Sequence, residues 1–238
     1  MALILNLDTS TRICSVALAR KGVLLGLEES QEDKSHASLL AVFINRVLEK
    51  SNVKISELDA VAVSKGPGSY TGLRIGVSTA KGLAYALGIP LISVNTLTAM
   101  ATGVLHWHLL DRLQLPDNET FYLCPMIDAR RMEVYAAVYS PTGKMVEPTN
   151  AKVIQEDSYG KLLEQHRMIF FGNGADKCRN IIQHSNAAFM EGIETSAKFM
   201  VPLAESDWQQ KNFEDVAYFE PLYLKDFIAT IPKNKLIK

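Results

Sequence analysis

Six of the chain's 14 glycines fall within 23 residues, at Gly66, Gly68, Gly72, Gly76, Gly82 and Gly88. They follow a short apolar run, residues 59–64, and pervade the next segment, residues 70–87. The loop Ser64-Lys65-Gly66-Pro67-Gly68-Ser69-Tyr70-Thr71-Gly72 thus joins a strand to a helix, where backbone N–H groups can meet an anion. Two anion motifs fail here. GxxxxGK[ST] is absent, and the spacing is GxGxxxG rather than GxGxxG, with no acidic residue about 20 positions later. A second use is steric: Gly72, Gly76, Ala80 and Ala84 step by four along one helix face, a bare ridge on which another helix can lie. That helix is either residues 35–50 of the same chain, the default on local grounds, or a helix of another subunit.

The surrounding pattern places this loop. Residues 2–8, 12–19 and 23–29 read as three strands, with Lys21-Gly22 as a hairpin turn, so they pair antiparallel. Residues 35–50 then repeat apolar groups every four positions, as Leu39, Phe43, Val47 and as Leu40, Ile44, Leu48, which predicts an amphipathic helix N-capped by Ser35. Residues 59–64 are a strand, 70–87 a helix stopped by Gly88 and Pro90, and 91–94 a strand. The order is βββαβαβ. A second half starts near Phe121: strand, Asp128, turn, strand at 133–139, then a strand at 168–171 running into Gly172-Asn173-Gly174. Superimposing Asp128 on Asp8, an offset of 128 − 8 = 120 residues, hints at duplication. Residues 103–120 read as the connector, 180–198 as helix and loop, and 233–238 as a frayed tail.

With 238 residues, 47% apolar and 21% charged, the chain can bury a core without staples. Its 25 basic and 26 acidic residues sum to −1, which argues against an autonomous nucleic-acid binder. No run reaches the ~18 apolar residues of a membrane span, and no basic leader precedes Asp8, so a cytoplasmic protein is expected. Cys14, Cys124 and Cys178 have neither disulfide-framework nor metal spacing and read as small buried groups. No HExxH, His-x3-His or GxSxG occurs, which leaves zinc chemistry and a peptidase without support. Asp8-Thr9-Ser10-Thr11 at a strand end can hold a magnesium-bound phosphate, although these are also ordinary turn formers. With Gly172, Asn173 and Gly174, the residues Asp8, Thr9 and Ser10 are the candidate nucleotide or anion site. If Asp8, Asp128 and the 172–174 loop framed ATP, the chain would be a stand-alone phosphotransferase. Arg130 and Arg131 could clamp a phosphate, against the commoner case of exposed turn arginines.

ILNLDTSTRICSVAL (residues 4–18), SKGPGSYTGLRIGVSTAKGLAYALGIPLISVNTL (64–97) and PLYLKD (221–226) resemble the TsaB (YeaZ) family, with GPGSYTGLRIG shared with its paralogue TsaD. The resemblance implies an α/β fold of the actin/Hsp70/sugar-kinase type: two ribonuclease-H-like lobes, here 1–102 and 103–238, with the extreme C-terminus packing back on the first. It implies a non-catalytic subunit in the synthesis of threonylcarbamoyladenosine beside the tRNA anticodon. The implied partners are the TsaD-type transferase and a TsaE-type ATPase, with tRNA held mainly through the complex. Where TsaD-like chains carry His-x3-His, this chain has Thr96 and Met100, a poor donor pair for a divalent ion, so no resident metal is expected. No tightly bound cofactor is expected either, with ATP or ADP and magnesium entering only in the complex. The family interface uses the helices at 35–50 and 70–87. The implied contact pool is Leu39, Leu40, Phe43, Val47, Gly72, Ile75, Gly76 and Thr79, and the same surface serves a homodimer. Periodicity leaves open which stripe faces the partner.

Overall fold

The computed structural model describes residues 2–30, 36–113 and 120–225. β1 (Leu3–Asp8), β2 (Cys14–Arg20) and β3 (Val23–Ser30) pair antiparallel, with Leu3 opposite Arg20 and Asp8 opposite Ser15. Lys21 and Gly22 both take positive φ, 54° and 73°, as a two-residue hairpin loop requires. α1 (His36–Lys50) follows, then β4 (Ala60–Gly66), α2 (Tyr70–Leu87) and β5 (Leu91–Asn95). β4 runs parallel to β1 and β5 to β4, so the sheet order is β3-β2-β1-β4-β5. Ser69 caps α2, accepting from Gly72 N, and Gly88 closes it in the left-handed conformation. Ser35, expected as the α1 cap, lies outside the described residues, as does the tail at 233–238.

The second half repeats this plan. After α3 (Thr96–His106) come β6 (Phe121–Asp128), β7 (Glu133–Tyr139) and β8 (Met145–Val153), antiparallel in sequence. Then follow α4 (Gly160–Leu163), β9 (Arg167–Phe171) and β10 (Ala187–Met190), both strands parallel, in the order β10-β9-β6-β7-β8. α5 (Val201–Gln210) closes the described helices. Reading β6–β10 as β1–β5 gives the same sheet twice, and with it the two-lobed actin/Hsp70/sugar-kinase-like α/β fold. The copies differ in their helices. The 15-residue α1 has the four-residue α4 as its counterpart, and a single 3-10 turn, Asp176–Cys178, stands where α2 has 18 residues.

Three sequence expectations change. Residues 180–198 contain β10, and β8 was not foreseen; both are sheet-edge strands with broken alternation. The connector at 103–120 begins inside α3, so a lobe boundary at 102 cuts a continuous helix. That helix is capped by Asn95, whose Oδ1 accepts from Leu97 N (3.0 Å) and Thr98 N (3.1 Å).

Strand alternation decides what each face meets. On β1, Leu3, Leu5 and Leu7 pack under α1 and α2, with Leu40, Phe43, Ile44, Val47, Val77 and Ala80. Ile4, on the other face, joins Ala60, Ala62, Ile92 and Val94 in a core shared with α3, β6 and Phe199. One hydrophobic core therefore belongs to both halves. The C-terminal segment packs back on the first half: Glu214 bridges to Leu91, Leu222 N donates to Lys65 O (2.7 Å), and Tyr223 lies 4.7 Å from Tyr70, ring to ring. Among the described residues no helix is long and apolar enough to cross a membrane.

Candidate functional site

The glycine-rich loop meets the β1–β2 turn directly. A Cβ on Gly68 would lie 2.2 Å from Ser10 O, one on Gly72 2.1 Å from Thr9 O, and one on Gly76 2.3 Å from Thr9 Oγ1. Real Cβ atoms do not come so close, so only glycine lets α2 descend onto this turn. Hydrogen bonds lock the contact: Ser69 N donates to Ser10 O (2.6 Å), and Thr9 Oγ1 donates to Gly72 O (2.7 Å). The bare ridge therefore serves neither expected helix. Gly72, Gly76, Ala80 and Ala84 face their own sheet, and all are buried.

Asp8 is 1% exposed, and its Oδ1 accepts from Ser10 N (2.9 Å) and Ser10 Oγ (2.6 Å). Burial pushes its carboxyl above the usual range, more strongly than these hydrogen bonds and His36 pull it down. One carboxylate oxygen is thus committed to its own turn. Thr9 Oγ1 and Ser10 Oγ both donate within the chain, to Gly72 O and Asp8 Oδ1.

The second half imitates this junction. Gly172 takes φ +96° where Gly66 takes +109°, and a Cβ on Gly172 would lie 2.3 Å from Met126 O. Gly174 presses on Ile127, and Asn173 Oδ1 accepts from Asp128 N at 2.9 Å. The aspartates themselves do not match. Asp8 shares the parity of Ile4 and the inter-sheet core. Asp128 shares that of Cys124 and Met126, which pack on the opposite face, and it is ion-paired to Lys177. A one-residue slip reverses the face of a strand residue. Asp8 and Asp128 therefore occupy non-equivalent faces of their two sheets.

Between the halves lies a cleft of about 660 Å³. Ser10, His36, Ser69 and Tyr70 line it on one side, Arg130, Tyr135 and Asn173 on the other, with Tyr223 and Lys225 from the C-terminal segment. His36, read from sequence as isolated, donates from Nε2 to Thr11 O at 2.8 Å. Sequence reasoning missed this cleft because its lining comes from seven separate segments.

At the positions where TsaD-like chains carry His-x3-His, Thr96 hydrogen-bonds Ser64 (2.7 Å), and Met100 fills the shared core against Gly172. All three cysteines are buried, and burial pushes the thiols up to about 11 at Cys14, about 12 at Cys124 and about 11 at Cys178. They pack as small apolar groups.

The interface pool divides by exposure. Leu40, Phe43, Val47, Gly72 and Gly76 are buried inside the protomer. Leu39, Ile75 and Thr79 are half-buried and reach the outside. The shallow groove between α1 and α2, about 360 Å³, is lined by Ala37, Ala41, Arg74, Ile75, Ser78 and Thr79, with Leu40 at its floor.

The family model of TsaD, tRNA N6-adenosine threonylcarbamoyltransferase, matches residues 26–233. The Haemophilus influenzae tRNA threonylcarbamoyladenosine biosynthesis protein TsaB is 28% identical over 235 residues, covering 95% of this chain and 94% of that one. The Bacillus subtilis protein of the same name is 31% identical over 170 residues, 71% of this chain and 69% of that one. The solved structure of YeaZ from Pseudomonas aeruginosa superimposes with a TM-score of 0.74 at 27% identity, over 94% of this chain and all of that one. With the same sheet built twice and a glycine loop shaped to the β1–β2 turn, the chain belongs to the TsaB (YeaZ) family of tRNA threonylcarbamoyladenosine biosynthesis proteins.

Proposed function

We propose that this chain is a non-catalytic, dimerising and activating subunit of a cytoplasmic threonylcarbamoyladenosine-forming complex, docked on a TsaD-type transferase through the outward faces of α1 and α2. One observation carries the reading: the β1–β2 turn and the glycine ridge are bound to each other inside the chain. Asp8 Oδ1 accepts from Ser10, Thr9 Oγ1 donates to Gly72 O, and Gly68, Gly72 and Gly76 pack on the turn beneath them. Meanwhile the outer face of α1 and α2 is small and apolar, with Ala37, Ala41, Val42 and Ile75 reaching the surface. Such a face suits close helix packing against a partner. Leu39, Ile75 and Thr79 are the contact residues of this reading, and a homodimer forms through the same face when the transferase is absent.

A TsaE-type ATPase completes the assembly. In this reading ATP or ADP with magnesium belongs to the complex rather than to this chain, and tRNA is held mainly by the partners. The test is co-purification with a TsaD-type protein, followed by threonylcarbamoylation of tRNA with and without this chain. The expected result is a stable complex and a rate that depends on the chain. Calorimetry that found micromolar Mg-ATP binding with turnover by the chain alone would overturn the non-catalytic assignment.

A further inference from the structure

The turn between β6 and β7 holds two adjacent non-glycine residues in the left-handed region, Arg130 at φ +69° and Arg131 at +51°. Each such residue costs roughly 1 kcal/mol. The hairpin at 21–22 places a glycine at its second position instead.

The surroundings hold this turn in place. Lys177 Nζ donates to Arg131 O (2.7 Å) and Glu133 O (2.7 Å) and ion-pairs with Asp128. Asp128 in turn accepts from Arg130 N (2.8 Å), and Asn173 accepts from Asp128 N. The backbone is thus pinned while both side chains stay exposed.

Nearby cations are already neutralised. Arg12 pairs with Glu194 (2.9 Å), Lys177 with Asp128, and Lys225 with Glu133. Neither the Arg130 nor the Arg131 guanidinium makes a hydrogen bond or ion pair within the described residues. In a chain of net charge −1, this leaves two adjacent unneutralised guanidinium groups on a pinned backbone, with Arg130 at the mouth of the inter-sheet cleft.

We propose that Arg130 and Arg131 form a phosphodiester clamp that takes the backbone of the tRNA while the partner subunits hold the rest. The proposal rests on the subunit assignment above. Guanidinium is the side chain suited to bidentate phosphate contact, and a pinned turn loses little entropy on binding. Both side chains are exposed and Arg131 lies outside the lining of the cleft, so the pair as a whole fits an extended polyanion on the rim better than a free nucleotide inside the cleft.

The test uses the assembled complex with three forms of this chain: wild type, R130N/R131G and R130K/R131K. Asn and Gly accept left-handed backbone, so the hairpin survives the loss of charge. The expected result for R130N/R131G is co-purification at wild-type yield with a KM for tRNA about tenfold higher. Its salt dependence should be shallower by about 1.4–1.8 in log-log slope, for two lost phosphate contacts. R130K/R131K should recover most of the slope. An unchanged tRNA KM and slope in a complex that wild type activates would overturn the clamp alone. So would a variant that loses Mg-ATP binding while keeping its tRNA KM. A wild-type chain that fails to activate sinks the subunit assignment, and the clamp with it.

Discussion

Gly76 and Gly82 lie in one helix and differ only in what surrounds them. A Cβ at Gly76 would collide with Thr9 Oγ1 at 2.3 Å, whereas nothing lies within 4 Å of one at Gly82. Gly76→Ala should therefore destabilise the chain by about 1–3 kcal/mol through overpacking. Gly82→Ala should stabilise it by about 0.5–1 kcal/mol through helix propensity. Urea midpoints of the two variants check the opposite signs; equal shifts would contradict the steric account. Asp8 yields a pH prediction. Its carboxyl is raised from the ordinary 3.8 mainly by burial, so the folded chain binds this proton more tightly than the unfolded one. Its contribution to stability is then greatest below the ordinary carboxyl pKa and is lost as pH rises through the raised value. Asp8→Asn keeps an Oδ1 acceptor for Ser10 N and carries no charge to desolvate. It should be more stable than wild type at neutral pH, with the gain shrinking towards zero in acid. Denaturation at both pH values measures it.

Of the elements, α1 and α2 carry the functional reading, and each has two distinct faces. The inward faces hold Leu40, Phe43, Val47, Gly76 and Ala80 in the core. A charge at Gly76 or Ala80 therefore tests folding and not association. The informative substitution is Ile75→Glu, on the half-buried outward side. It should leave the circular dichroism spectrum and melting temperature near wild type while cutting recovery of a TsaD-type partner at least tenfold. A full-yield complex with Ile75→Glu would remove this face from the proposal. The two helices were legible because an apolar repeat of four runs through both. The edge strands β8 and β10 were not: β8 has only exposed and half-buried positions, with the alternation broken at both ends, and only Met190 of β10 is buried. At a sheet edge, pairing with a distant neighbour does what a local pattern does elsewhere.

For the whole molecule, the shared core removes the independence that two sheets suggest. Phe199 packs against Gly103 of α3, among residues from both halves. Calorimetry should show one cooperative transition rather than two. Phe199→Ala should destabilise by about 3–5 kcal/mol and lower that single transition without splitting it. Two resolved transitions in either protein would mean that the halves fold separately.

The sequence by itself determined the order of the first five strands and two helices, the glycine loop and the family resemblance. All of these depend on local periodicity, on turn residues or on an uninterrupted motif. It also indicated that the architecture is duplicated, although it aligned the two aspartates one face apart. Only the tertiary structure decided which faces are inside. The glycine ridge could have met a helix of this chain or of another subunit; it meets Thr9 of its own turn. Such choices rest on contacts between residues some 60 positions apart (Thr9 to Gly72, for example). Helical and strand periods specify which side chains share a face, and only packing specifies what that face touches.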